Sequence, residues 1–180
     1  MDDVPYLFCD AVVGRFARIE DISKQLKPVD HSRFSLWKSA FRNHADDQWS
    51  FSLSIGFKGG KWSYYLRDTR RFVSIDFAVL KQLKQKYLQI SNIAFTNREY
   101  RLSNHQEIEE IIRYSARFVN LAKLSLNNAE MEDCDLFILL SYVQRASFEK
   151  IIVHNYNHFY EEFFKVHLQS TNCLKTFDIK

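Results

Sequence analysis

The chain has 180 residues and a net charge of +3, from 25 Lys+Arg against 22 Asp+Glu. That length fits one domain or a small module joined to a larger one, and so mild a charge does not by itself imply a nucleic-acid partner. With only 2 Pro and 4 Gly the composition argues against disorder and against a loop-rich all-β fold, while 16% aromatic residues put large rings in the core.

Residues 4–45 read as helical. Pro5 opens a helix, since its missing N–H would have had no partner there. Leu7, Phe8, Ala11, Val12 and Phe16 follow at helical spacing. Pro28 breaks the pattern, and Asp30 or Ser32 caps a second helix with Phe34, Leu36, Trp37, Ala40 and Phe41. The domain division this suggests is a helical module over 1–47 and a β-hairpin plus α/β region over 48–180.

In the hairpin, Phe51, Leu53, Ile55 and Phe57 alternate with small or polar residues, then Gly59-Gly60, then Trp62, Tyr64 and Leu66 alternate again. A two-residue Gly-Gly turn supplies the positive φ angles a tight hairpin needs. It pairs Lys58 with Lys61, Phe57 with Trp62, Ile55 with Tyr64 and Leu53 with Leu66. A slip of one residue would scatter the apolar set over both faces.

Downstream, one pattern of an apolar residue, two others, an apolar residue, one other and an apolar residue occurs four times. The copies are Phe72-Ile75-Phe77, Leu121-Leu124-Leu126, Phe148-Ile151-Val153 and Leu174-Phe177-Ile179. A fifth puts Leu88 and Ile90 in the last two slots and Gln85 in the first. The last three start 27 and then 26 residues apart, the period of leucine-rich-repeat-like stacking of one strand and one helix per unit. Strands are expected over Arg71–Phe77, Tyr87–Phe95, Leu121–Leu126, Phe148–Val153 and Leu174–Ile179, with a short helix over Ala78–Lys86. The helix Asn104–Phe118 is capped by Asn104 with Glu107 three on, and buries Ile108, Ile111, Ile112 and Ser115. Glu132–Arg145 turns Leu136, Leu139, Leu140 and Val143 inward; His158–Gln169 turns Phe159, Phe163, Val166 and Tyr160 inward. The fold class is therefore α/β: an amino-terminal helical module, an aromatic β-hairpin, then strand–helix units around a parallel sheet. The last strand is either the edge of a minimal sheet or the mark of a chain shorter than its relatives.

The segments VPYLFCDAVVG, FSLWKSAFRNH, GKWSYYL and VSIDFAVLKQL resemble a large nematode expansion of F-box-like proteins, which join a degenerate F-box to an F-box-associated or leucine-rich-repeat-like region. Val4-Pro5 and Phe8 look like the start of the F-box pattern and Trp37 like its terminal Trp. The resemblance implies a substrate-recognition subunit for ubiquitin ligation, without catalysis or cofactor. The face around Val4, Pro5, Phe8, Val12 and Trp37 would dock the cullin-ligase adaptor. The segment Arg15–His31 lacks the Asp-Leu step of the usual F-box centre, so a scaffold or decoy paralogue is one alternative.

No nucleophile elbow, phosphate loop or dinucleotide glycine motif occurs. His154-x-x-x-His158 with Glu161 and Glu162 has metal-ligand residue types, but a strand end and a helix start cannot put the two imidazoles on one helix face. His105-x-Glu107 opens like a zinc-deaminase signature whose cysteine half is missing, and Glu107 reads as a cap. No metal is expected. Client-facing candidates at strand ends and loops are Tyr87, Tyr100, His154, Asn155 and Tyr156. Lys58, Lys61, Tyr65, Arg67, Arg70 and Arg71 form a basic, aromatic hairpin face. Such a face suits single-stranded nucleic acid, the other alternative, although Trp62 and Tyr64 turn inward and leave Tyr65 alone with the cations.

Cys9, Cys134 and Cys173 are odd in number and sit in apolar contexts, and they read as free buried thiols in a reducing compartment. The acidic opening MDDVPYLFCDAVVG is unlike a secretory leader, and no run approaches the roughly 20 apolar residues of a membrane helix. The expectation from these features is an intracellular chain, in cytoplasm or nucleus.

Overall fold

Gly59 and Gly60 hold φ angles of 55° and 75°, so the strands either side close through a turn that a side chain would strain. Strands β1 (Trp49–Lys58) and β2 (Lys61–Asp68) pair antiparallel in the expected register: Lys58 with Lys61, Phe57 with Trp62, Ile55 with Tyr64 and Leu53 with Leu66. The computed structural model describes Cys9, Ala11, Val12, Leu36, Ser39, Ala40, Arg42, Asn43 and residues 47–127, 130–154, 156, 158–169 and 174–180.

Two units divide the chain, residues 1–49 with 83–88 and residues 50–82 with 89–180. In the first, Cys9, Ala11, Val12, Leu36, Ser39, Ala40, Arg42, Asn43 and Asp47 are helical, and Cys9 and Ala40 are buried. A 3-10 turn, Gln85–Tyr87, belongs to the same unit, with the Lys86 ammonium 4.5 Å from the Tyr87 ring centre. The remaining positions of the expected amino-terminal module, including Val4, Pro5, Phe8 and Trp37, lie outside the described residues.

The second unit is mixed α/β, built on an eight-stranded sheet. The added strands are β3 (Ser74–Ile75), β4 (Leu88–Thr96), β5 (Arg101–Ser103), β6 (Val119–Asn127), β7 (Ser147–Val153) and β8 (Thr176–Ile179). Their order is β3-β2-β1-β4-β6-β7-β8, with β5 beside β3 on the free edge of β2. The helices are α1 (Phe77–Gln82), α2 (His105–Ser115), α3 (Asp133–Val143) and α4 (Glu161–Gln169). Helices α2, α3 and α4 carry the chain between successive parallel strands, as parallel pairing requires.

The repeat pattern becomes a ladder. Ile93, Leu124, Ile151 and Phe177 are register partners across β4, β6, β7 and β8, and so are Phe95, Leu126, Val153 and Ile179. The first three members of each row are fully or almost fully buried, because β-strand alternation points every second residue at the helices. Helix α2 buries Ile108, Ile111, Ile112 and Ser115, and α3 buries Leu136, Leu139, Leu140 and Val143. Asn104 caps α2, its side-chain oxygen accepting from the Glu107 amide at 2.8 Å.

Five expectations need correction. Cys134, expected to be buried, is exposed in the first turn of α3, off the face that carries Leu136, Leu139, Leu140 and Val143, and Cys173 lies outside the described residues. The sheet is not wholly parallel: β1, β2, β3 and β5 join antiparallel. The Phe72-Ile75-Phe77 copy is no repeat unit; its strand is two residues long, Phe72 is exposed, and Phe77 already lies in α1, which ends at Gln82 rather than Lys86. Helix α4 buries Phe163, Phe164 and His167, with Tyr160 ahead of it, and exposes Val166. Tyr160, Phe163, Phe164 and His167 stand at i, i+3, i+4 and i+7, one helical face whose last member is a histidine, and Val166 falls off that face; the Phe159 side chain lies outside the described residues. Finally, Phe177 is half-buried and Ile179 is 56% exposed, because β8 is an edge strand with nothing beyond it among the described residues.

Candidate recognition surface

Asp68 ends β2 and organises the turn that follows. Its carbonyl accepts from the Phe72 amide at 2.9 Å and its amide donates to the Val73 carbonyl at 2.8 Å. Its carboxylate accepts from the Arg70 amide at 2.9 Å and from Arg71 Nη1 at 3.0 Å. Thr69 donates twice to the Ser50 carbonyl, from its amide at 2.7 Å and its hydroxyl at 2.9 Å. Asp68 is fully buried, as a carboxylate can be when all this is supplied. Phe72, held in this frame, has a φ of 58° and is 70% exposed. A bulky residue in the left-handed region is an outlier, and such strain persists only where the surroundings impose it. The Arg67 guanidinium lies over the Phe72 ring, 5.0 Å from its centre.

The sheet has one helix-covered face and one open face. On the open face Ser52, Asn92, Ala94, Thr96, Lys123, Ser125 and Lys150 are half-buried or exposed, and Asn92 Nδ2 donates to Ser52 Oγ at 2.9 Å. Residues 97–100 cross this face at one corner. The crossing works because position 56 is glycine: a Cβ there would collide with the Arg98 carbonyl and the Ser63 hydroxyl. The buried Ser63 hydroxyl is shared between the Gly56 and Arg98 carbonyls at 3.4 and 3.5 Å and accepts from the Tyr100 amide at 3.2 Å. Tyr100 then stacks on Tyr65, centroids 5.6 Å apart and planes 13° from parallel.

Behind this corner a polar trio holds the two short edge strands. The Tyr64 hydroxyl donates to Asp76 Oδ1 at 3.0 Å, and Arg101 pairs with Asp76 Oδ2. The Arg101 hydrogen bond, foremost, holds the Asp76 carboxyl below its ordinary range, while burial and then the Asp76 bond push Tyr64 up. Because Asp76 follows β3 and Arg101 opens β5, the trio fixes both on β2, one on each side of Tyr65.

Of the basic hairpin set, Lys58, Lys61, Tyr65 and Arg71 are exposed and Arg67 and Arg70 half-buried. Lys58 Nζ lies 3.8 Å from Glu99, and Arg71 is engaged by Asp68, so part of the positive field is neutralised locally. Of the client-facing set, Tyr87 is buried, its ring packed at the strand entry instead of offered outward; Tyr100 and His154 are half-buried and Tyr156 is exposed. Asn155 lies outside the described residues. Of the adaptor set only Val12 is described, half-buried. Phe72 and Leu102, 63% exposed on β5, were not among the candidates. The run Asp68-Thr69-Arg70-Arg71 is the available signal for the first, since Asp and Thr favour turns that bond their own backbone.

The histidine motifs resolve into structural contacts. Glu107 accepts from the Ser103 hydroxyl at 2.6 Å; Glu161 accepts from Tyr156 at 3.3 Å and Glu162 pairs with Lys165 at 2.7 Å. Among the described residues no cluster of His, Cys, Asp and Glu has metal-holding geometry. A cleft of about 550 Å³ lies between β7 and α4, lined by Gln144, Arg145, Phe148, Val166, His167 and Leu174. His167, against the rings of Phe148 and Phe163 at 5.3 and 4.4 Å, is pushed below the ordinary histidine range by burial. Among the described residues no helix is long and apolar enough to cross a membrane.

No protein-family model, curated protein or solved structure matches this chain.

Proposed function

We propose that the chain is a non-catalytic protein–protein interaction module inside the cell, acting as an F-box-like substrate-recognition subunit in ubiquitin ligation. The observation that carries the recognition role is Phe72, an exposed aromatic held in a strained conformation by a fully buried carboxylate. Strain maintained at the surface serves no packing purpose and fits a contact made with something else. The parallel rows of β4, β6, β7 and β8 agree with the leucine-rich-repeat-like half of the resemblance, and the adaptor role rests on Val4, Pro5, Phe8 and Trp37. Co-purification with a cullin-ligase adaptor tests it, comparing the parent with a Val4→Asp/Pro5→Ala double variant that is still folded. Binding by the parent and loss in the variant is expected; no binding by the folded parent removes the ubiquitin-ligase role.

The cations of the open sheet face favour a second reading, a nucleic-acid-binding module. Phosphate contacts would make its affinity fall steeply with salt. Retention of an oligonucleotide at low salt and release at raised salt would support it.

A further inference from the structure

We infer that the open face of the sheet along β2, where β3 and β5 pair with it, recognises an acidic protein segment bearing aromatic side chains, with Phe72 as its anchor at one end. The inference deepens the recognition role proposed above and rests on it. Four features converge.

First, the Phe72 conformation is over-determined. The Phe72 amide, the Val73 carbonyl, the Arg70 amide and Arg71 Nη1 all close on Asp68. A turn built only to reverse the chain needs a residue tolerant of positive φ, and glycine or asparagine supplies it. Here the position carries the largest side chain of the turn and turns it outward.

Second, Phe72 belongs to a strip. Leu102 is the register partner of Ser63, and Ser74 that of Arg67. Antiparallel partners share a face, so Leu102, Tyr65 and Arg67 follow one another along the open side of the edge. Four residues of strand separate the first pair from the last, about 13 Å. Phe72 stands over Arg67 at one end, Leu102 at the other, and the Tyr65–Tyr100 stack between them.

Third, the strip is positively charged. Lys61 and Arg67 lie along it, while Arg71 is ion-paired with the fully buried Asp68 of the turn. Carboxylates on the partner complement this arrangement, and its rings match Phe72, Leu102 and Tyr65. Aromatic residues and arginine are the side chains that dominate binding energy at protein interfaces.

Fourth, the geometry favours protein over nucleic acid. One face of Tyr65 is covered by Tyr100 in a near-parallel stack, so the ring is already engaged on that side and less open to base stacking.

The test uses the whole chain and defined probes: fluorescent poly(Glu,Tyr), poly(Glu) and a 20-nucleotide oligodeoxythymidylate, compared by anisotropy at one salt concentration. The parent should bind poly(Glu,Tyr) about tenfold more tightly than poly(Glu). Phe72→Gly should lose about that tenfold while melting within about 3 °C of the parent, because glycine takes the φ without strain. Should Phe72→Gly fail to fold, Leu102→Ser, at an exposed position, must weaken poly(Glu,Tyr) binding in its place. Equal binding of the two polypeptides, no binding of either, or a folded Phe72→Gly that binds as the parent does would overturn the inference. Tighter binding of the oligonucleotide, lost in the same variants, would assign the strip to nucleic acid and overturn it too. Adaptor co-purification reads the amino-terminal helices, so failure there and failure here are separate results.

Discussion

The backbone carbonyl of Arg98 occupies the space that a Cβ on Gly56 would need. The segment 97–100 crosses the sheet at that point, and the crossing places Tyr100 on Tyr65. A glycine in mid-strand ordinarily weakens a strand; here it admits a second backbone. Gly56→Ala is therefore expected to destabilise the chain by about 1–3 kcal/mol, the range for overpacking a tight site. Thermal melting checks the magnitude. Near-ultraviolet circular dichroism checks the location, since the Tyr65–Tyr100 stack should loosen.

Asp68→Ala removes the acceptor for the Arg70 amide and for Arg71 in one change. A loss of about 1–3 kcal/mol is expected from leaving buried groups without partners. Asp68→Asn should recover part of it, because an amide oxygen still accepts from the Arg70 amide. If Asp68→Ala melts with the parent, the turn is not held as described.

The ladder makes Leu126 a more sensitive position than its neighbour in the pattern, Leu121. Leu126 sits between Phe95 and Val153 and is almost fully buried. Leu126→Asp should cost about 4 kcal/mol or more, since it places an unpaired carboxylate in the core. That corresponds to about 10 °C of melting temperature for a chain of this size. Leu121 lies half-buried at a register shift, with a φ of 50°. Leu121→Asp should cost clearly less, and equal losses would contradict the assignment.

His167 gives the fold a pH dependence of predictable sign. Burial lowers its pKa in the folded chain, so the unfolded chain binds the proton more tightly. Stability is then full above the ordinary value of about 6.5 and falls as pH drops below it, by at most about 1.4 kcal/mol per pH unit until the folded-state value is passed. The melting temperature should fall more between pH 7.5 and 5.5 for the parent than for His167→Leu. Parallel falls would mean that His167 takes up its proton without penalty.

How much of this was legible in the sequence differs by element, for identifiable reasons. The hairpin register was legible because Gly59-Gly60 fixes the turn and the apolar residues alternate symmetrically about it. The buried faces of α2 and α3 were legible because isoleucines and leucines recur there at one helical phase. The face of α4 was not. Its sequence offers Phe159, Tyr160, Phe163 and Val166 as inward residues, whereas the buried face runs Tyr160, Phe163, Phe164 and His167 and ends on a histidine, which a search for apolar residues passes over. Phe72 was misplaced for a different reason. The spacing of Phe72, Ile75 and Phe77 matches the repeat pattern, yet Asp68 bonds its own downstream backbone and ends the strand first. The recognition strip was only half visible: the cations and Tyr65 stand out in sequence, whereas Leu102 joins them only through pairing of β5 with β2.

The two rows of the ladder also order the chain in time. Each parallel strand is held by its neighbours, and among the described residues β8 has a neighbour on one side only. Amide exchange should accordingly be slowest at Leu124 and Leu126, intermediate at Ile151 and Val153, and fastest at Phe177 and Ile179. Transient opening that begins at β8 leaves β1, β2 and the Asp68 turn closed. The molecule would thus fray at the sheet edge opposite Phe72 while the anchor stays rigid.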